Sequence, residues 1–313
     1  MSQRRIILAG GSGFVGCGLA AGLRAKNFAV TVLTRTPRPR TDGVTEIAWD
    51  GKTVGEWAKS LDDADAVINL AGHSINCVHN AANRQLILES RINATHAITT
   101  AIRRAARPPQ VLVQASAIGF YGNTGNAVCD ETSPAGSGFL AETCRAWEAA
   151  LDASSLPATR CVILRFGVVL GRDGGALPAL VRLTKLFLGG AAGSGKQFIS
   201  WIHQTDLNRI ILAALENENW RGVFNAVAPQ PVTNAEFMRE LRRALHRPWS
   251  PPAPAFAVRL LAPLLGADAS LALDGQRVLP RRLAEQGFGF QFAELRAALV
   301  SAGQRTARRA MSI

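Results

Sequence analysis

Residues 116–122 read SAIGFYG and hold Tyr121, the only tyrosine in a chain of 313 residues. A phenol after a strand-forming run, QVLVQ (110–114), has the chemistry of a proton donor. The same ring could instead fill the wall of a cleft. A second set of residues near the N-terminus suits phosphate. RIILAG (5–10) runs into GGSGFVG, which spaces Gly10, Gly13 and Gly16 by three. One glycine makes the turn, one lets a pyrophosphate approach the backbone, and one lets helix and strand pack closely. The N–H groups of Gly11, Ser12, Gly13, Phe14 and Val15 then open a helix whose N-terminus carries partial positive charge.

The next strand, AVTVLTR (29–35), ends in Thr34-Arg35, and no acid follows until Asp42. An NAD site wants a carboxylate at this place for the ribose 2′-OH. An arginine there can hold a 2′-phosphate through charge-assisted hydrogen bonds, so the sequence favours NADP(H).

These groups need a frame. Strand, glycine turn, helix and strand occupy about 30 residues, the length of a dinucleotide-binding unit. The alternation continues with strands at 45–50, 66–72, 110–117, 159–167 and 222–228, and helices at 53–61, 84–106 and 141–152. The expected fold is α/β, a Rossmann-like doubly wound parallel sheet with a smaller C-terminal substrate domain. Residues 1–167 and 199–228 would form the NADP-binding domain. Residues 168–198 and 229–301 would form the substrate part, and 302–313 a disordered tail. Sites in such sheets lie beyond the carboxyl ends of the strands. NLAG (69–72) and SAIGFYG therefore bring Leu70, Ala71, Gly72 and Tyr121 to the crevice.

Composition narrows the function. No apolar run reaches the ~18 residues of a membrane span, and SQRR runs into IILAG without a signal-peptide pattern. The five cysteines are scattered and lack a CxxC, which reads as reduced thiols in the cytoplasm. The net charge of +12 is spread along the chain with no basic stripe carrying interleaved aromatics. Nucleic acid and membrane are not expected partners. An anionic small molecule explains the charge as well, and a homo-oligomer is compatible with it.

Two stretches imitate other sites. GGAAGSGKQ (189–197) resembles a P-loop but places Gln197 where a magnesium-binding hydroxyl belongs. HSINCVH (73–79) gathers His73, Cys77 and His79 at a spacing that fits no common zinc site, so no metal is expected. In the second half, Asp206 reads as the cap of a helix starting near Leu207, and His203 reads as structural. Arg165, Lys196 and Arg277 are either ligands for an anionic substrate or solvated cations.

The ordered motifs resemble the extended short-chain dehydrogenases/reductases, and within them an atypical "epimerase family" group. GGSGFVG, TR (34–35), NLAG, SRI (90–92), SAIGFYG, FLAETCRAWE (139–148), RFGVVLGRDGGAL (165–177) and GSGKQFISWIH (193–203) carry the resemblance from about residue 5 to about residue 300. It implies an NADP(H)-dependent oxidoreductase or epimerase, with Arg91 and Ser116 added to the cofactor contacts.

The resemblance also marks departures. Members of the group carry an acid after NLAG and an Arg-Trp pair beyond it. Here His73 follows, and CVHNAANR (77–84) lacks the pair. Active extended reductases use Tyr-x-x-x-Lys with a glutamate four residues later. Counting back from Glu148 puts Cys144 at the lysine place and Leu140 at the tyrosine place, and no lysine lies between Lys59 and Lys185. The catalytic Ser/Thr place is Ala117, with Ser116 one step away. Any proton would come from Cys144, Glu142, Tyr121 or a bound water. The alternative is a protein that binds or senses NADP(H) without turnover.

Overall fold

The computed structural model describes residues 3–303. Seven strands form one parallel sheet: β1 (Arg5–Ala9), β2 (Ala29–Thr34), β3 (Thr45–Ala48), β4 (Ala66–Asn69), β5 (Val111–Ala117), β6 (Arg160–Phe166) and β7 (Gly222–Ala226). Their order is β7-β6-β5-β4-β1-β2-β3. The chain moves outward from β1 to β3, then returns to the other side of β1 as β4. The crevice of such a fold opens where the order reverses, between the carboxyl ends of β1 and β4.

Both faces of the sheet are covered, so its strands are apolar on both sides. Ile6 and Leu8 of β1 join one core layer, with Leu19 and Leu23 of helix α1 (Phe14–Ala25). Ile7 and Ala9 join the opposite layer, with Ala94, Ile98 and Ile102 of α2 (Ala81–Arg104). Helix α3 (Phe139–Ala149) follows β5 and packs on α2. Helix α4 (Leu177–Lys185) lies in the later part of the chain, and α5 (Gln204–Glu216) completes the first layer through Leu207 and Ile211. A separate core cluster joins Leu177, Trp201, Phe237 of α6 (Asn234–Ala244), and Leu295 and Leu299 of the last helix.

Local expectations fail in three places. The helix expected at 53–61 is a 3-10 turn over Glu56–Leu61. The Thr53 carbonyl, which would start an α-helix there, accepts instead from the indoles of Trp49 (3.0 Å) and Trp57 (2.9 Å). Asp206 does not cap α5. His203 does, its Nδ1 accepting from the Thr205 N–H at 3.2 Å. Asp206 is fully buried one turn inward, where it accepts from the N–H groups of Gln291 (2.9 Å) and Phe292 (2.7 Å). Of the tail expected to be disordered from 302, residues 302–303 continue the helix Leu295–Gly303, and 304–313 lie outside the described residues.

Among the described residues no helix is long and apolar enough to cross a membrane, and no group of three or more His, Cys, Asp or Glu is placed to hold a metal ion. The P-loop imitation sits between α4 and a two-residue strand, Phe198–Ile199, with no helix opening after it.

Candidate functional site

The glycine turn joins β1 to α1 at the reversal point. Gly10 has φ +75°, and a Cβ there would strike Ala71 N at 2.8 Å. At Gly11 a Cβ would strike Val32 at 2.7 Å, and at Gly16 it would strike Gly11 Cα at 2.5 Å. These three let turn, helix and strands close on one another. Gly13 differs, because its Cβ would meet only Gly10 O, at 3.4 Å. It therefore leaves open space on the crevice side. It is also the N-cap of α1 and lends no side-chain hydrogen bond to the first turn. The leading N–H groups of a helix have no intrahelical partner, so this end is left to a ligand. The residues fit a pyrophosphate here.

At the end of β2, Thr34 is buried and its Oγ lies 3.5 Å from Ser12 Oγ. Arg35 next to it is exposed, and its guanidinium makes no hydrogen bond or ion pair among the described residues. Arg40 nearby is engaged by Asp42 and by Glu46 at 3.0 Å. Arg35 is thus an exposed cation at the end of β2, unpaired among the described residues.

Beyond β4, Leu70 donates its N–H to Ala9 O at 2.9 Å, and Ala71 to Asn69 Oδ1 at 3.1 Å. Gly72 faces the Arg91 guanidinium, which a Cβ would meet at 3.2 Å. Arg91 donates to His73 O (3.0 Å) and Ile87 O (2.9 Å), and its guanidinium lies 5.0 Å from the Trp147 ring. Burial lowers its pKa. Phe14 turns its ring toward the loop after Leu170, where Cβ atoms on Gly171 and Gly174 would each come within 2.6 Å of it. The paired glycines of RDGGA were the available signal for this contact, which the sequence reading missed.

A second group of polar side chains crosses the sheet. Strand register sets Ser116 of β5 beside Arg165 of β6, and Arg165 beside Asn225 of β7. These three side chains form a polar row across the sheet. Glu148 from α3 joins it, accepting from Arg165 Nε (2.8 Å), Arg165 Nη2 (2.7 Å) and Ser116 Oγ (2.6 Å). Tyr121 accepts from Arg165 Nη1 at 2.9 Å and donates to Asn225 Oδ1 at 2.8 Å. Asn225 in turn donates to Leu279 O at 3.1 Å.

This setting moves the pKa of Tyr121, Arg165 and the nearby Cys144. Burial raises that of Tyr121, against the pull of Arg165. Burial is the largest single influence on Arg165 and works against its charge, but the hydrogen bonds and charge attraction of Glu148 and Tyr121 together outweigh it and raise the pKa. Cys144 is buried 3.6 Å from where a Gly119 Cβ would lie, and burial pushes its thiol up to about 11. Leu140 flanks the same glycine at 3.5 Å. Glu142 is exposed on the first turn of α3.

Several residues weighed in the sequence have partners inside the fold. Arg165 is internal rather than facing an anionic substrate, and its guanidinium lies 3.4 Å from the Phe120 ring centre. His203 is buried, packs 3.9 Å from the Phe292 ring, and has its pKa lowered by burial. His79 is buried with its Nε2 3.0 Å from Ile75 O and its Nδ1 3.7 Å from Asp268. Lys196 is exposed, and Arg277 lies 4.7 Å from the Phe198 ring. Asn225 was not singled out by sequence reasoning, since an asparagine in GVFNAVA carries no motif.

Comparison with known proteins adds an independent line. The model of the NAD dependent epimerase/dehydratase family matches residues 6–226, and a domain of unknown function, DUF1731, matches 253–302. The chain is 40% identical over 304 residues to the chloroplastic homologue of epimerase family protein SDR39U1 in Arabidopsis thaliana, covering 95% of this chain and 86% of that one. The crystal structure of human epimerase family protein SDR39U1 with NADPH superposes with a TM-score of 0.85 at 38% identity, covering 95% and 98%. A nucleoside-diphosphate sugar epimerase from Corynebacterium glutamicum has a TM-score of 0.77 at 29% identity, covering 99% of this chain and 61% of that one.

Proposed function

The chain belongs to the NAD dependent epimerase/dehydratase family, and from that premise we propose that it binds NADP(H) and acts as an atypical extended short-chain dehydrogenase/reductase. The observation that carries the cofactor reading is the open turn at Gly13 with the unpaired Arg35 beside it. The human relative solved with NADPH supports the same choice. We assign cofactor binding to residues 1–167 and 199–228, and substrate binding to 168–198 and 229–301. The substrate is a small anionic molecule of the nucleotide-sugar class, in keeping with the name of the Corynebacterium relative. The scattered thiols suit a reducing compartment, the cytoplasm.

Bound NADPH would supply hydride, and the chain's residues would have to manage the proton. The usual phenol and amine are replaced by Leu140 and Cys144. Tyr121 holds the sheet's polar row together, so its role is to shape the site rather than to donate a proton. Cys144 keeps its proton at neutral pH and can act only as a neutral donor. A second reading, binding of NADP(H) without turnover, is favoured by the engagement of both Ser116 and Tyr121 hydroxyls inside the fold. Oxidation of NADPH with a panel of nucleotide sugars and small carbonyl compounds separates the two.

The cofactor test is a titration of wild type and Arg35→Ala with NADPH and NADH. A hydrogen bond to a charged group contributes roughly 1.5–3 kcal/mol, so the variant should bind NADPH about tenfold to a hundredfold more weakly. NADH affinity should hardly change. Equal wild-type affinities, or equal losses for both cofactors, sink the assignment.

A further inference from the structure

Apolar side chains gather on the surface of the later part of the chain. Leu186, Phe187 and Leu188 follow α4, and each is more than half exposed. Trp249 is 74% exposed and Phe256 72%. Phe256 belongs to a short helix, α7 (Ala255–Leu261), which buries none of its residues. The 3-10 turn after it, Pro263–Leu265, exposes Leu264 by 79% and Leu265 by 70%. The two segments run side by side. Gly193 N donates to Ala253 O, and Ala253 N to Ala191 O, both at 2.8 Å. Arg247 lies 5.3 Å from the Phe187 ring. Exposed apolar side chains grouped on adjoining segments suit an interaction site, where scattered single residues would not.

Charge indicates what covers it. The chain has no acidic residue between Asp173 and Asp206, and none between Glu240 and Asp268. The same two stretches carry Arg182, Lys185, Lys196, Arg242, Arg243, Arg247 and Arg259. Arg182, Lys185 and Arg259 are exposed and make no ion pair among the described residues. A second copy would set these cations against one another. An anionic lipid surface would attract them while Trp249, Phe256 and the leucines enter the headgroup boundary, as interfacial helices and aromatic side chains do. We propose that this face docks onto an anionic membrane surface, with the crevice at the sheet left in water.

The experiment is co-sedimentation of the full chain with vesicles. One set is phosphatidylcholine alone, and the other is roughly one-third phosphatidylglycerol. The protein should bind the anionic vesicles at least about tenfold more tightly, and high salt should weaken that binding. Leu264→Asp/Leu265→Asp and Lys185→Glu/Arg259→Glu alter only exposed side chains. Each should bind at least about tenfold more weakly while keeping the wild-type Tm. No binding to anionic vesicles, equal binding to both sets, or undiminished binding by both folded variants overturns the proposal. A dimer in sedimentation velocity that Leu264→Asp/Leu265→Asp dissolves, with no vesicle binding by wild type, would assign the face to a second copy instead.

Discussion

Replacing Glu148 by glutamine tests whether the polar row is a structural unit. Glutamine keeps the volume but removes the charge that Arg165 meets at 2.7 and 2.8 Å. The Arg165 side chain is only 5% exposed, so water cannot replace the lost partner. One amide oxygen can still accept, but the amide nitrogen would face a guanidinium nitrogen, donor against donor. Removing one member of a buried pair costs about 3–5 kcal/mol, because the other charge stays buried. At roughly 2–4 °C per kcal/mol for a chain of this size, Tm should fall by roughly 6–20 °C. Urea unfolding followed by tryptophan fluorescence gives the free energy directly, and circular dichroism gives Tm. The double variant Glu148→Gln/Arg165→Met has no uncompensated charge and should lose less than the sum of the two single variants. A single-variant loss below about 1 kcal/mol, or simple additivity in the double variant, would refute the buried-pair account.

Three other outcomes follow from the same geometry. Tyr121→Phe leaves Asn225 Oδ1 and Arg165 Nη1 without a partner, so stability should drop by about 1–3 kcal/mol with NADPH affinity unchanged. Any turnover should fall by less than about 10², and a larger loss with normal cofactor binding would make the phenol a proton donor. Gly13→Val fills the open side of the turn, so fluorescence titration should show NADPH binding abolished in a protein that keeps its circular dichroism. Burial pushes the thiols of Cys144 and Cys161 from 9.0 up to about 11. Below pH 9 both folded and unfolded chains keep these protons, so that stability is fully present. Above it the unfolded chain loses them first, and stability should fall toward pH 11 by about 1.4 kcal/mol per pH unit for each thiol. The fall should be shallower in Cys144→Ala/Cys161→Ala, and an unchanged slope in urea unfolding would contradict the assignment.

Much of the frame was legible because its signals are local. GGSGFVG lies between two short apolar runs, and turn, helix and strand follow from the order of residues alone. The absence of any lysine between Lys59 and Lys185 was equally plain. The helix caps were harder. Asp206 has the residue type of a cap, yet distant N–H groups at Gln291 and Phe292 claim its carboxylate, and the neighbouring histidine takes the terminus. The Thr53 carbonyl was likewise taken by two indoles that no helical periodicity announces.

What the sequence determined by itself was the dinucleotide turn, the strand and helix alternation, and the lack of a lysine on α3. The bonding partners of Tyr121 were decided only by tertiary structure. Ser116, Arg165 and Asn225 come from strands far apart in the chain, and parallel register sets them side by side. Glu148 then reaches them from a helix packed beside that sheet. Residue type gives a phenol, a guanidinium and an amide their capacity to bond. Which of them meet, and whether water reaches them, depends on how the strands align and what the helices cover.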